Sequence, residues 1–148
     1  MAQTKATAQL GLTVPDVNCP DAQPGGPIAL LAAAFVALDG RFAAEEVDAA
    51  SAAIGITSGV VYITKAGVAA MTLAAPLAGI PAAGGNDGQE LTIVSTTANA
   101  HTVTTPANAI NGANHVLTFA ATAGTQVKLM AKGGVWYVEP LAPGITIS

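Results

Sequence analysis

The chain has 148 residues, of which 51% are hydrophobic and only 9% are charged, and its formal net charge is -4. Phosphate binding requires clustered Lys and Arg, whereas the five basic residues here are scattered along an acidic chain, so we expect no contact with nucleic acid. The longest apolar run, residues 27–38, is shorter than the roughly 20 residues that span a bilayer, so we expect no membrane segment.

The first 27 residues are predicted to form an extended N-terminal arm. They contain four prolines, and proline withholds a backbone donor and biases the preceding residue toward extended geometry. The apolar residues predicted to anchor this arm on a partner are Leu10, Leu12, Val14, Pro15 and Val17. A disordered terminus is the alternative. Residues 28–148 are predicted to form one β-rich domain.

One helix is predicted near residues 40–54. Asp39 can cap it, and Glu45 and Glu46 lie in the first turns, where the helix dipole favours negative charge. Gly55 would end it. The residues that recur at the spacing of one helical face are Ala43, Val47, Ala50 and Ile54.

From residue 56 onward the apolar spacing changes to a period of two, which is typical of strands. The segments predicted as strands are residues 59–65, 70–74, 90–96, 101–105, 115–120 and 126–132. Residues 84–88 and 111–112 have the Gly and Asn chemistry of turns. Short strands at this spacing predict a mainly β fold, an antiparallel sandwich or barrel.

A hairpin is predicted at Gly133 and Gly134, which would form a two-residue loop. The resulting register pairs Lys132 with Val135 and places Lys128 opposite Glu139. The side chains assigned to the core or to a subunit interface, together with Phe119 on the preceding strand, are Val127, Leu129, Ala131, Trp136 and Val138. The opposite face would meet solvent or a partner.

The chain shows no residue constellation that predicts catalysis or a cofactor. Asp87 and Glu90 have no acid–base partner nearby in sequence. His101 and His115 lie on different predicted strands and could meet across a sheet, but zinc normally takes three or four protein ligands. Threonines alternate at residues 102–105 as in a sugar-binding or ice-binding face, yet β-propensity explains them. We therefore expect a non-enzymatic protein with no metal and no cofactor.

The scarcity of charge predicts an assembled protein. Between Lys65 and Lys128 only Asp87 and Glu90 are charged, whereas a solitary domain has about a quarter charged residues. Neighbouring subunits would cover such a neutral surface. A small β-domain with a bland surface is the alternative.

The chain from Gly59 to Ile147 resembles a module of tailed-bacteriophage virion proteins. The resemblance rests on VVYITKAGVAAMTLA at 60–74, DGQELTIVSTT at 87–97 followed by AHTV at 100–103, GTQVKLMA at 124–131, and GVWYV at 134–138. Such modules occur in capsid decoration (cement) proteins, head fibres and tail fibres, typically as homotrimeric β-structures.

This resemblance implies a homotrimeric capsid decoration protein, made in the host cytoplasm and placed on the virion surface. Its partners would be further copies of itself and the major capsid protein, on which the N-terminal arm would dock. The alternative from another functional class is a tail-fibre or head-fibre module that binds a receptor. An enzyme is disfavoured because the chain lacks an acid–base constellation.

Overall fold

The computed structural model describes residues 4–6, 13–15, 44–56, 59–140 and 142–148. The chain divides into two compact units, Met1–Ala43 and Ala44–Ser148. In chain order the strands are β1 Thr4–Ala6, β2 Thr13–Pro15, β3 Ala44–Val47, β4 Ala53–Ile54, β5 Val60–Ile63, β6 Ala70–Leu73, β7 Glu90–Ser95, β8 Thr102–Thr104, β9 Val116–Phe119, β10 Gln126–Lys132, β11 Val135–Val138 and β12 Ile145–Ile147. A short 3-10 helix, Pro81–Ala83, lies between β6 and β7.

The described residues of the first unit form an antiparallel pair, β1 with β2, in which Lys5 lies opposite Val14. Val14 and Pro15 of the predicted arm are therefore in a strand. Leu10, Leu12 and Val17 lie outside the described residues. The docking role of all five residues, and the predicted domain boundary after residue 27, stay predictions.

The second unit consists of two five-stranded sheets. The first sheet has the order β11-β10-β7-β5-β3, and the second has the order β12-β9-β8-β6-β4. Alternate side chains of both sheets are buried in one hydrophobic cluster, so the sheets pack face to face as a β-sandwich. Neither sheet closes into a barrel.

Both sheets are mixed, which corrects the antiparallel arrangement predicted from the sequence. Strands β3, β5 and β7 run parallel in the first sheet, and β4, β6 and β8 run parallel in the second. The chain thus alternates between the two sheets from β3 to β8. Each connection between neighbouring parallel strands of one sheet passes through a strand of the other sheet. Strands β9 to β12 then add the antiparallel pairs.

The helix predicted near residues 40–54 is wrong, since the described part of this segment forms β3 and β4. Val47 and Ile54 are buried as predicted, but they reach the core from two different sheets. The backbone groups bond to neighbouring strands, with the Thr64 amide donating to the Val47 carbonyl at 2.9 Å. The Glu45 carboxylate accepts a hydrogen bond from the Gly55 amide at 3.0 Å. Sheet pairing has therefore overridden the local helical preference.

The predicted strands from residue 59 onward and the Gly133–Gly134 hairpin are confirmed. Lys132 pairs with Val135 as expected, and both glycines have positive φ, 59° and 85°, as a type I′ turn requires. The Lys128 ammonium, however, bonds to the Glu90 carboxylate at 3.0 Å rather than to Glu139. Glu90 is its diagonal neighbour across the sheet, within reach of a long side chain.

Candidate interaction surface

The predicted hairpin face lies in the sandwich core. Val127, Leu129 and Trp136 are fully buried, as is Phe119 of β9, and Val138 packs against the cluster while partly buried. The Trp136 indole N–H donates to the Ala74 carbonyl at 2.9 Å, so its polar atom is satisfied. These side chains support the sandwich from within and present no surface for a ligand.

The two histidines do not meet. His101 precedes β8 and is buried, whereas His115 precedes β9 and is exposed. The β8–β9 hairpin places them at opposite ends, because Phe119 bonds to His101 and Thr105 bonds to His115. His115 is four positions from Phe119 along the chain, so the two histidine positions are about 13 Å apart along the strand direction.

Hydrogen bonds fix the protonation state of the His101 ring. Its Nδ1 accepts from the Ala69 amide at 3.2 Å, so Nδ1 carries no proton. Its Nε2 lies 3.0 Å from the Thr97 hydroxyl, and that hydroxyl donates to the Lys65 carbonyl at 2.9 Å. The ring is therefore neutral with the proton on Nε2, and burial lowers the pKa of His101 below its ordinary value of 6.5.

The outward side of the second sheet is an uncharged surface, which we call the threonine face. It consists of the outward side chains of four of the sheet's strands and of the first residue of β4: Ala53, Ala70, Thr72, Thr102, Thr104, Val116, Thr118 and Thr146. The register aligns Thr102 with Thr118 and Thr118 with Thr146. Strand spacing of about 4.8 Å therefore puts three threonines in one straight row.

The threonine face suits contact with another neutral protein surface. Each threonine offers a methyl group and a hydroxyl that both donates and accepts hydrogen bonds, so two such faces can match without opposed charges. Small side chains also lose little rotamer entropy on burial. None of its eight side chains carries a charge that would have to be desolvated.

The outward side of the first sheet carries charged side chains, unlike the threonine face of the second sheet. It carries the Lys128–Glu90 ion pair and the exposed side chains of Tyr62 and Tyr137. An open groove of about 300 Å³ lies on this side, lined by Thr92, Gln126, Lys128, Glu139, Pro140 and Ala142. The groove therefore offers hydroxyl, amide and charged groups, and the two exposed tyrosines lie on the same side of the sheet outside its lining.

A third surface feature is the connection between β6 and β7, whose residues 77–84 we call the apolar loop. Leu77 and Ile80 are 63% and 61% exposed, and none of the eight residues is charged. The Leu77 amide donates to the Asn86 side chain, and the Asn86 amide donates to the Leu77 carbonyl, both at 2.8 Å. These reciprocal bonds close the base of the loop.

The loop base is also tied to the β10–β11 hairpin. One oxygen of Asp87 bonds to the Lys132 ammonium at 2.8 Å, and the other accepts from the Gly133 amide at 2.6 Å. The hydrogen bond from Lys132, together with that from Gly133, lowers the pKa of Asp87 below its ordinary value of 3.8. The same partner raises the pKa of Lys132. The charges of Asp87 and Lys132 thus compensate each other beside the base of the loop.

The sequence analysis predicted neither the threonine face nor the apolar loop. In the sequence, β-propensity explains the threonines of residues 102–105, and only the register brings Thr102 beside Thr118 and Thr146. The apolar loop had a usable signal, since Leu77 and Ile80 lie among Pro, Gly and Ala without a charge. Large aliphatic residues in a segment rich in Pro and Gly are expected to lie in a surface connection, where they are exposed.

Within the described residues, no group of His, Cys, Asp and Glu is arranged to hold a metal ion. The same part of the chain contains no helix with the length and hydropathy to cross a membrane. Comparison of the chain with protein-family models, with curated proteins and with solved structures gave no match.

Proposed function

We propose that this protein is a non-enzymatic virion structural protein, a homotrimeric decoration protein that binds the outer surface of a capsid and stabilises the shell. The observation that carries the proposal is the threonine face. It is an uncharged surface on which three threonines lie in one row, on a chain with few charges overall. The resemblance of residues 59–147 to phage virion modules supplies the context.

The threonine face is assigned to contact between subunits. Each copy carries a net charge of -4, so copies that approach through charged surfaces repel one another. The threonine face lets them associate without that cost. Symmetry then repeats every shell contact around the trimer axis, and many weak contacts together give firm binding.

Shell stabilisation follows from mass action. A protein that binds the assembled shell but not its free subunits shifts the equilibrium toward the shell. The major capsid protein is the partner in this scheme, and the predicted N-terminal arm with Leu10, Leu12, Val14, Pro15 and Val17 is one element that would dock on it.

The test is to add the purified protein to undecorated shells of the same phage and to measure their thermal disassembly. We expect a trimeric mass by light scattering and a higher disassembly temperature of the shells. A monomer that leaves the disassembly temperature unchanged contradicts the proposal.

The groove on the first sheet favours a second candidate function, attachment to a host surface glycan. Sugar hydroxyls bond to amide and hydroxyl groups such as those of Gln126 and Thr92, which line the groove, and Tyr62 and Tyr137 are exposed on the same side of the sheet. A glycan-array screen decides this candidate, and binding that is lost in Gln126→Ala would support it.

A further inference from the structure

We propose that strand β12 is a pairing edge, which joins the β12 edge of a second copy of this chain in an antiparallel contact with twofold symmetry. The inference goes beyond the proposed function, because it concerns a different surface and applies to a monomer as well as to a trimer. It rests on the free backbone groups of β12, on the protection of the other sheet edges, and on the match between two copies.

The backbone of β12 has hydrogen-bonding groups that point away from its own sheet. Antiparallel strands bond to each other through every second pair of residues. Ser148, which follows β12, exchanges two bonds with Val116 of β9, at 2.8 and 3.0 Å. Thr146 is therefore the next residue that bonds to β9, and the backbone groups of Ile145 and Ile147 point to the outer edge.

Three of these outward groups have no partner in the described part of the chain. The Ile145 amide donates to the Ala142 carbonyl at 3.2 Å, whereas the Ile145 carbonyl and both backbone groups of Ile147 make no bond there. Unpaired amide and carbonyl groups along a sheet edge are a template on which another strand can pair.

The other three sheet edges are protected. On β11 the Trp136 carbonyl accepts from the Asn111 amide at 2.9 Å. Next to β4 the Gly55 amide donates to the Glu45 carboxylate at 3.0 Å, and β3 carries the charges of Glu45 and Glu46. Cover and charge are the means by which proteins prevent pairing at an edge. Strand β12 contains neither a charged residue nor a proline.

Two copies of β12 match each other in backbone and in side chains. A twofold axis between the two Thr146 residues places Ile147 of one copy opposite Ile145 of the other, so the free Ile147 amide can donate to the free Ile145 carbonyl. Symmetry repeats this bond on the other side of the axis. The isoleucines meet on the inward side, where Ile147 is only partly buried in a single copy. Like charges do not oppose each other, since residues 140–148 are uncharged.

Pairing would join two five-stranded sheets into one sheet of ten strands. The row of Thr102, Thr118 and Thr146 would then continue into the second copy on the same side, because a twofold axis normal to the sheet preserves its faces. The threonine face is extended by this contact and not covered by it. Edge pairing is therefore compatible with the subunit contact that we assign to that face.

The contact is short, so we expect it to be weak. Strand β12 has three residues, whereas a stable interface buries about 800 Å² on each partner, more than one short edge offers. Pairing should therefore depend on concentration in solution. It would be favoured wherever neighbouring copies are held close together.

The experiment compares the full-length wild type with Ile147→Pro and Ile147→Val by sedimentation equilibrium, from micromolar to millimolar concentration. Proline removes the outward amide, and it is tolerated at an edge position whose amide faces away from the sheet. Valine keeps the amide and a β-branched side chain, so Ile147→Val is the matched control. Thermal unfolding of each protein verifies that it is folded.

We expect the mass of the wild type and of Ile147→Val to double as the concentration rises. Ile147→Pro should pair at least about tenfold more weakly, which is about 1.4 kcal/mol. Hydrogen exchange at the Ile147 amide should slow as the wild type pairs. A wild-type mass that never doubles, or equal doubling by Ile147→Pro, overturns the inference.

The mass at low concentration tests the proposed function separately. A monomer that doubles supports edge pairing and contradicts the homotrimer, whereas a trimer of constant mass overturns edge pairing and supports the homotrimer. Should Ile147→Pro unfold, Thr146→Lys replaces it, because it places two like charges opposite each other across the axis. Thr72→Lys adds the same charge to the same face away from the edge and should still pair. Equal loss of pairing in both lysine variants would overturn the inference.

Discussion

Trp136 is the single tryptophan of the chain, and its burial makes it a reporter of the hairpin register. A slip of one residue would move it to the outward face. We expect a blue-shifted emission that iodide does not quench until the protein unfolds. Quenching of the folded protein at the rate of free tryptophan would contradict the register.

The indole hydrogen bond of Trp136 also contributes to stability. Trp136→Phe leaves the Ala74 carbonyl without its donor, and an unsatisfied acceptor costs about 1 to 3 kcal/mol. Urea unfolding followed by circular dichroism measures this loss. The neighbouring side chain of Tyr137 is exposed, so Tyr137→Phe is the control and should change the free energy of unfolding by less than about 0.5 kcal/mol.

His101 makes stability depend on pH near neutrality. Its folded pKa lies below the ordinary value of 6.5, so the unfolded state takes up a proton more readily. Stability is therefore complete above pH 6.5 and falls as the pH drops from there toward the lowered pKa. Protonation at Nδ1 would also replace the acceptor of the Ala69 amide with a donor.

The variant His101→Asn removes this titration. We expect it to be less stable than the wild type at pH 7.5 but to lose less stability between pH 7.5 and 5, as measured by urea midpoints. His115→Asn, at an exposed position, should keep the wild-type pH dependence. If His101→Asn keeps it as well, another group is responsible.

At the scale of elements, the Asp87 contacts determine whether the apolar loop is held against the hairpin. Because the pKa of Asp87 is lowered, its contribution is present at pH values above 3.8 and is lost as the pH falls through the lowered pKa. Asp87→Ala should therefore lower the Tm at pH 7 and have little effect near pH 2. It should also speed hydrogen exchange at the Gly133 amide.

Glu90→Ala is the matched control for the Asp87 prediction. It removes the other ion pair on the same hairpin, whose two side chains are about half exposed, and such surface pairs contribute little. Equal loss of Tm in the two variants would show that removing any carboxylate here has the same effect, and that the loop base has no special role.

Individual strands were predictable because their signals are local. Period-two spacing located the strands from residue 59 onward, and Gly133–Gly134 determined the hairpin register through turn geometry. The parallel pairing was not predictable, since alternation looks the same in parallel and antiparallel strands. The helix error has a related cause, because Val47 and Ile54 are spaced as on one helical face yet belong to two sheets.

At the scale of the whole molecule, the sandwich separates neutral from charged surface. Charged side chains such as Glu90 and Lys128 lie outward on the first sheet, whereas the threonine face of the second sheet has none. The low charge of the chain is visible in its composition, and the covered surface inferred from it stays a prediction. The grouping of neutral side chains on one face depends on the register of four strands, and no local sequence pattern encodes that register.

A charge placed at the centre of the threonine face tests its role in assembly. Thr118 lies between Thr102 and Thr146, and its side chain points away from the core, so Thr118→Lys should leave the fold intact. In a trimer that buries this face, the variant would desolvate three ammonium groups without partners. We therefore expect Thr118→Lys to dissociate the proposed trimer to monomers, as measured by light scattering at micromolar concentration. Gln126→Lys adds the same charge to the outward side of the first sheet and should remain trimeric. Dissociation by Gln126→Lys but not by Thr118→Lys would assign the subunit interface to the first sheet, because an added lysine is tolerated only on a face that stays exposed to solvent.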